Sequence, residues 1–495
     1  MQLTGNDLQK DTDSIFISKI NEVHLKINCE PSIAQELCDY FTFYVPGYTF
    51  IPAYRNKIWD GKIRLFNIHN RYLYCGLLEY VFIFAEKRCY EVVPDGDWWK
   101  PIKIEKDTAF VPDLNLPFKP RDYQLAAFYH ALSYQKAILL SPTGSGKSLI
   151  IYLIIRALNT KTLIIVPTTS LVNQLYNDFK EYGWNSDEHC HMVYAGQDKV
   201  SDKQVVISTW QSQFRLGKNI FEQYKLVIGD ECHGFKSKSL ASIMTKCVNA
   251  KYRIGTTGTL DGTQTHKLVL EGLFGRVYKA ITTKQLIDKK ELSSFSIKII
   301  ILKYPQEVAQ HIRGSNYQEE IEFLVENEDR NNYIKNLTLT LKGNTLVLFR
   351  LVEKHGKILY DLIKDNIDTD KRKLFFVYGG TTTETREEIR SITEKEKDAI
   401  IVASYGVFSQ GINIKNLHNI VFASPSKSRI RNLQSIGRGL RVSDNKVETV
   451  LYDIADDLCW KSRKNYTYQH LEERIKIYEE ESFSYKIYNI PLIKG

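Results

Sequence analysis

The chain has 495 residues, enough for about three domains, each with its own hydrophobic core. Its 43% hydrophobic and 25% charged content is ordinary for a globular protein, and no apolar run approaches the ~18 residues of a membrane span. The net charge of +9 permits a polyanionic partner without requiring one, and eight cysteines with no Cys-x-x-Cys pair argue against a disulfide framework or a structural zinc.

Met1 to Lys19 lacks the basic-then-apolar pattern of a secretory signal, so a cytoplasmic location is expected, in the host cell if a phage encodes the chain. Residues 1–112 carry a net charge of −2 and read as a small α+β domain. Within them Asp60-Gly61 separates two alternating runs, the pattern of a two-residue hairpin. That register places Arg55, Lys57, Trp59, Lys62, Arg64 and Phe66 on one face, and Asn56, Ile58, Ile63 and Leu65 on the core side. Lys57 opposite Arg64 would be destabilising unless a polyanion covers the face, with phosphates on the cations and a base or sugar on the indole. A solubilising outer face with a packed tryptophan is the competing reading. Trp98-Trp99 is expected to pack against the domain that follows, and the three prolines in Val111–Pro120 predict an extended linker.

Residues 113–285 carry +8. Strands are predicted at Ala137–Leu140, Thr162–Val166, Val205–Ser208, Leu226–Ile228 and Arg253–Gly255, with helices between, one of them burying Leu171, Leu175 and Phe179. Such alternation implies a parallel sheet covered on both faces. His189-Cys190-His191 reads as a loop or strand end, because adjacent residues cannot all face one metal. After a less regular stretch near residues 286–340 the pattern restarts at Thr345–Phe349, Lys373–Val377, Ala399–Ala403, Asn419–Phe422 and Thr449–Tyr452. The expected division is therefore 1–112, 113–285, 286–460 and a tail, 461–495, with a charged helix at Leu471–Glu480 and a strand-like end.

Ser141-Pro-Thr-Gly-Ser-Gly-Lys-Ser148 follows a predicted strand and opens a helix. Thr143, Gly144, Ser145 and Gly146 let the backbone wrap phosphate, Lys147 reaches the β/γ oxygens, and the Ser148 hydroxyl suits Mg²⁺. The loop begins with Ser where Gly or Ala is usual. Asp230-Glu231, ending an apolar strand 83 residues after Lys147, can hold the magnesium shell and polarise the attacking water, respectively. Arg438 and Arg441 lie three apart on a predicted helix with Gln434, so all can face a γ-phosphate.

These segments resemble motifs I, II and VI of the superfamily 2 helicases. Arg121-Asp-Tyr-Gln124 is similar to the adenine-reading glutamine motif, Val166–Leu171 to motif Ia, Thr257-Gly-Thr259 to motif III and Val402–Ile412 to motif V. Together with Trp59–Leu65 they resemble, within that superfamily, the phage helicases that remodel branched DNA. The resemblance implies two tandem RecA-like parallel-sheet domains behind the α+β domain, ATP with Mg²⁺ (Arg121 and Gln124 at the nucleotide), and Gln434 near the γ-phosphate. It also implies coupling of hydrolysis to movement through His233, Thr257, Thr259 and Gly411. Carried over from motifs Ia, Ib, IV and V, the strand contacts are Thr168, Thr169, Trp210, Gln211, Arg350, Ser404 and Tyr405, although Trp210 could equally be core. The implied function is ATP-dependent unwinding of stalled forks, Holliday junctions, D-loops and R-loops in replication, recombination and repair. The implied partners are branched or single-stranded DNA and RNA in R-loops, with no membrane, a monomeric state, and a single-strand-binding protein left open. An RNA helicase, an annealing protein whose ATPase switches its grip, and a restriction-type motor subunit are the alternatives.

Overall fold

A computed structural model describes residues 14–104, 110–194, 198–410, 414, 416–424, 428, 433, 435–437, 440 and 448–492. Two compact units divide the chain: Met1–Ser141 with Gly146–Ala280, and Ile281–Gly495 with Pro142–Ser145.

The first unit opens with a four-stranded mixed sheet. Its strands are β1 (Ser14–Lys19), β2 (His24–Asn28), β5 (Tyr72–Tyr74) and β6 (Glu91–Pro94), in the order β5-β2-β1-β6. Ile15, Ile17, Leu25 and Ile27 alternate inward to meet Leu37 and Phe41 from the helix Pro31–Tyr40 and its end, and Val81 and Phe84 from the helix Leu78–Glu86. A separate ribbon pairs β3 (Thr42–Tyr44) with β4 (Lys62–Arg64).

That ribbon corrects the hairpin expected around Asp60-Gly61. β4 pairs with β3, so Arg64 faces Thr42 and Lys62 faces Tyr44. Pro52 starts a one-turn helix, Pro52–Arg55, and Lys57 takes a left-handed backbone, φ 56°. The opposition of Lys57 and Arg64 therefore does not arise. Ile58, expected in the core, is 79% exposed. Two further expectations change. The proline-rich segment contains a helical turn, Phe110–Asp113, and Phe110, Leu114 and Leu116 pack on the neighbouring core. Trp98 packs on the core of its own small domain and donates to Asp95, while Trp99 meets Phe82.

The larger sheet of this unit is wholly parallel, in the order β13-β7-β12-β11-β8-β10-β9. Its strands are β7 (Lys136–Leu140), β8 (Thr162–Val166), β9 (Cys190–Val193), β10 (Val205–Thr209), β11 (Leu226–Asp230), β12 (Tyr252–Thr257) and β13 (Val277–Lys279). Runs such as Thr162-Leu-Ile-Ile-Val166 are buried throughout because helices cover both faces. The small domain docks on the helix Gln264–Phe274. Lys136 pairs with Glu22 at 2.8 Å, the Tyr80 hydroxyl donates to the buried Glu271 carboxylate at 2.6 Å, and Leu268 enters the small domain's core. A Cβ on Gly76 would stand 1.9 Å from the Glu271 carbonyl oxygen, so only glycine permits this approach.

The second unit is again a seven-stranded parallel sheet, ordered β16-β17-β15-β18-β19-β14-β20. It comprises β14 (Ser294–Lys303), β15 (Thr345–Phe349), β16 (Leu374–Val377), β17 (Ile400–Ser404), β18 (Asn419–Phe422), β19 (Glu448–Asp457) and β20 (Ser484–Pro491). The stretch expected to be irregular holds β14, a ten-residue strand beside β19. On β19, Asp453 accepts from Arg474 (2.8 Å) and Tyr478 (2.9 Å) of the helix Tyr466–Glu480, whereas Asp456 accepts from Arg330 (2.8 Å) of the helix Glu328–Thr340. Their odd and even positions send the two carboxylates to opposite faces. No helix among the described residues is long and apolar enough to cross a membrane.

Candidate active site

Parallel register brings the catalytic candidates of the first unit together. Thr257 of β12 is level with Leu140 of β7, and Asp230 of β11 is level with Thr256. The phosphate loop after β7, the acidic pair after β11 and the Thr257 segment therefore leave the sheet at its C-terminal edge, where parallel sheets place their ligands.

Gly144 (φ 85°) and Gly146 (φ 78°) turn the phosphate loop through left-handed backbone. A Cβ at Gly146 would also lie 2.4 Å from Gln124 Nε2. Gln124 is buried, and its Oε1 accepts the Arg121 backbone N–H at 2.9 Å; Arg121 in turn donates to the Tyr123 hydroxyl. Lys147, the first residue of the helix Lys147–Leu158, donates to the Ser141 carbonyl at 3.3 Å. The Ser148 hydroxyl lies 2.8 Å from that of Tyr182, whose ring meets Phe118 edge-on. No sequence motif marks Tyr182 or Phe118; chain folding alone brings them to the loop.

Asp230 is buried, and its Oδ1 accepts the Thr256 hydroxyl at 2.7 Å. Burial and the adjacent Glu231 charge raise its pKa above the usual carboxylate range, against the pull of Lys147. A buried carboxylate at the same sheet edge as the phosphate loop suits a divalent cation, which would compensate that burial. Glu231 sits in left-handed backbone, φ 50°, a strained position of the kind found at functional sites. Burial alone would raise its pKa too. The hydrogen bond with His233, the Lys147 and His233 charges and the Thr257 hydroxyl outweigh burial and bring it to about 2.

One hydroxyl joins these groups. Thr257 Oγ1 lies 2.9 Å from His233 Nδ1, 3.3 Å from Glu231 Oε2 and 3.0 Å from the Thr259 carbonyl, and His233 Nδ1 is 3.3 Å from the same Glu231 oxygen. The acidic pair and Thr257–Thr259 are thus in direct contact.

The strand-contact candidates follow strands at the same edges. Thr168 caps the helix Thr169–Glu181, accepting from Leu171 N, and Thr169 is exposed. Trp210 is half-buried against Phe214 and its core, leaving Gln211 exposed beside it. In the second unit Phe349 is level with Ser404, so Arg350 and the residues after Ser404 share an edge. Arg350 is exposed and donates to Tyr317; Ser404 is 9% exposed. Tyr405 is corrected: it is 2% exposed with its ring against Phe422, so its side chain belongs to the core. Gln434, Arg438, Arg441 and Gly411 lie outside the described residues.

On the ribbon of the small domain a cavity of about 640 Å³ is lined by Tyr54, Arg55, Lys57, Ile58, Trp59 and Asp60. Trp59 Nε1 donates to the Lys62 carbonyl, Lys62 stands over Tyr44, Arg55 over Phe50, and Arg64 pairs with Asp60. Cations and aromatics do gather here, in a different backbone from the hairpin expected. His189 stacks on Trp184 and His191 meets the Asp198 carbonyl; no group of three residues among those described could hold a metal on His, Cys, Asp and Glu alone.

Family models match three stretches: "DNA helicase UvsW, N-terminal" at residues 17–95, "Type III restriction enzyme, res subunit" at 117–262 and "Helicase conserved C-terminal domain" at 329–443. The chain is 35% identical to the ATP-dependent DNA helicase uvsW of Enterobacteria phage T4, over 95% of this chain and 98% of that protein. It is 24% identical to the DNA 3'-5' translocase XPB2 of Sulfurisphaera tokodaii, over 72% and 88% of the two. The crystal structure of T4 UvsW superimposes with a TM-score of 0.51 at 33% identity, over 97% of this chain and 100% of that one. The type ISP restriction-modification enzyme LlaBIII shares the fold, with a TM-score of 0.55 at 16% identity over 76% and 31% of the chains.

Proposed function

The chain belongs to the UvsW family of ATP-dependent DNA helicases, and from that premise we propose that it remodels branched DNA: stalled forks, Holliday junctions, D-loops and R-loops. The observation that carries the reading is the Thr257 hydroxyl shared by Glu231 and His233, because it ties the water-activating carboxylate to β12 and the segment that follows. The helix Gln264–Phe274 comes next in the chain and bears the small domain through Glu271 and Leu268. A change at the nucleotide thus has a short mechanical route to a basic, aromatic surface.

The residues divide the work as follows. The loop N–H groups from Thr143 to Ser148 and the Lys147 ammonium hold the triphosphate, with Gln124 and Arg121 at the base. Ser148 and Asp230 would hold Mg²⁺, which would supply charge neutralisation at the triphosphate. Glu231, its pKa held below the usual carboxylate range by His233, Lys147 and Thr257, orients and polarises the attacking water. His233 and Thr257 hold that carboxylate in place, and Thr259 and Gly411 extend the coupling. Arg438, Arg441 and Gln434 are assigned to the transition-state charge. The DNA strand runs along Thr168, Thr169, Trp210, Gln211, Arg350 and the Ser404 backbone, by phosphate contacts that do not read sequence. Arg55, Lys57, Trp59, Lys62 and Arg64 grip the branch. The protein acts as a monomer in the host cytoplasm.

ATP hydrolysis is to be measured without nucleic acid and with single-stranded DNA, a fork, a four-way junction and a tailed RNA duplex, with Glu231→Gln as control. Stimulation by forks and junctions, abolished in the control, is expected. Stimulation by RNA alone would overturn the substrate assignment. Alanine at Arg55, Lys57, Lys62 and Arg64 together should weaken fork binding and flatten its salt dependence; unchanged binding would remove the ribbon from the DNA path.

A further inference from the structure

The C-terminal edge of the second sheet carries a surface that the helicase motifs leave unused. β19 ends at Asp457, and a short loop, residues 458–465, leads into the helix Tyr466–Glu480. Asn465 staples both ends of the loop. Its Oδ1 accepts from Leu458 N at 3.1 Å, and its Nδ2 donates to the Asp456 carbonyl at 3.1 Å and to Glu320 at 2.9 Å. Glu320 is 2% exposed and accepts three more hydrogen bonds, from the N–H groups of Tyr466 (2.9 Å) and Thr467 (2.7 Å) and from the Thr467 hydroxyl (2.8 Å). A buried carboxylate thus fixes the helix N-terminus, and with it the loop.

Between the staples, Trp460 and Arg463 exchange both backbone hydrogen bonds at 3.0 Å, and Lys461 is held at φ 50°. Left-handed backbone is disfavoured at a lysine and is kept here by the fixed ends of the loop. The loop presents a half-buried tryptophan and four exposed residues, Lys461, Ser462, Arg463 and Lys464. None of the scaffold's hydrogen bonds uses the side chains of Trp460 or Lys461. Trp460, Arg463 and Lys464 line a cavity of about 230 Å³ together with Arg313 and Gln469. Lys464 is answered by Glu472, and Glu320 is spent on the scaffold, so Arg313, Lys461 and Arg463 leave the surface positive. The surface is continuous with Arg350: that guanidinium donates to the Tyr317 hydroxyl at 2.8 Å, and the Tyr317 ring meets Tyr466 at 6.0 Å and His470 at 5.3 Å.

We propose that residues 460–464 form an additional grip on single-stranded DNA, with the Trp460 ring stacked on a base and Lys461, Arg463 and Arg313 on successive phosphates, extending the strand path beyond Arg350. A flat π-surface beside several cations is how sequence-tolerant single-strand sites are built. The inference rests on the DNA-helicase reading above.

Binding of the full chain to labelled single-stranded and duplex DNA, with a non-hydrolysable ATP analogue and across a salt series, tests it. Trp460→Ala should weaken single-strand binding about 5- to 100-fold, and Trp460→Phe should restore most of it. Lys461→Ala with Arg463→Ala should reduce the slope of log affinity on log salt by about 1.4, two phosphates' worth. DNA-free ATP turnover should be unchanged in all three proteins, because these side chains belong to none of the nucleotide-binding segments; melting temperature should stay close to the parent's, the double variant losing one long hydrogen bond, from Arg463 to the Ser315 carbonyl at 3.5 Å. Unaltered single-strand affinity and slope, in a protein whose parent binds DNA, would overturn the grip alone, as would a loss confined to duplex. A parent chain that binds no DNA would overturn the helicase reading and this inference with it.

Discussion

Replacing Asp453 with leucine tests whether β19 is held to its helix by charge. Asp453 and Arg474 are both fully buried, 2.8 Å apart, with the Tyr478 hydroxyl on the same carboxylate at 2.9 Å. Asp453→Leu leaves a guanidinium without its carboxylate and a tyrosine without its acceptor. Breaking a buried pair from one side costs about 3–5 kcal/mol. For a cooperative unit of roughly 215 residues, each kcal/mol lowers Tm by about 2–4 °C, so a fall of about 6–20 °C is expected. Asp453→Leu/Arg474→Met removes both charges while keeping volume, and should recover most of the loss. Differential scanning calorimetry of the three proteins measures this. A single variant as stable as the parent, or a double variant no better than the single, would refute the assignment. Because the same helix carries the Asn465–Thr467 staple, Asp453→Leu should also weaken single-strand binding, which calorimetry alone would not reveal.

Glu231→Gln removes the carboxylate that activates water and should cut ATP turnover by about 10²–10⁴ while leaving nucleotide binding in place, as equilibrium binding of a fluorescent analogue would show. Gly146→Ala puts a Cβ 2.4 Å from Gln124 Nε2 at φ 78°, so nucleotide affinity should fall with the fold intact by circular dichroism. Tyr182→Phe deletes one neutral hydrogen bond to Ser148, worth about 1 kcal/mol, and should change nucleotide affinity by about fivefold. His130 lies between the Tyr134 and Tyr278 rings, and burial lowers its pKa to about 4. Its folded pKa is below the unfolded value, so its neutral form supports the fold above about pH 6.5, and stability falls as pH drops from there toward 4. Urea unfolding at pH 7 and pH 5 should show this, with a smaller difference in His130→Phe.

Local chemistry is enough to read the central strands of both parallel sheets and the nucleotide loop. Apolar β-branched runs such as Thr162–Val166 have one stable home, the middle of a covered parallel sheet. Gly144, Gly146, Lys147 and Ser148 bind phosphate through backbone and charge that a short segment supplies by itself. The ribbon at Tyr54–Phe66 was misread because Asp60-Gly61 states a preference that pairing can override. Its partner strand, Thr42–Tyr44, lies about twenty residues upstream, and Pro52 starts a helix where a strand was expected. β14 was missed because its burial depends on β19 and β20, more than 140 residues away. The chemistry is legible from residue order alone, since phosphate binding and water activation need particular side chains at fixed local spacing. Which groups meet is a matter of folding: Thr257 with Glu231 and His233, Tyr182 with Ser148, Glu320 with Asn465 and Thr467. Those contacts join segments 24 to 147 residues apart, and strand register with helix packing, not local preference, sets their distances.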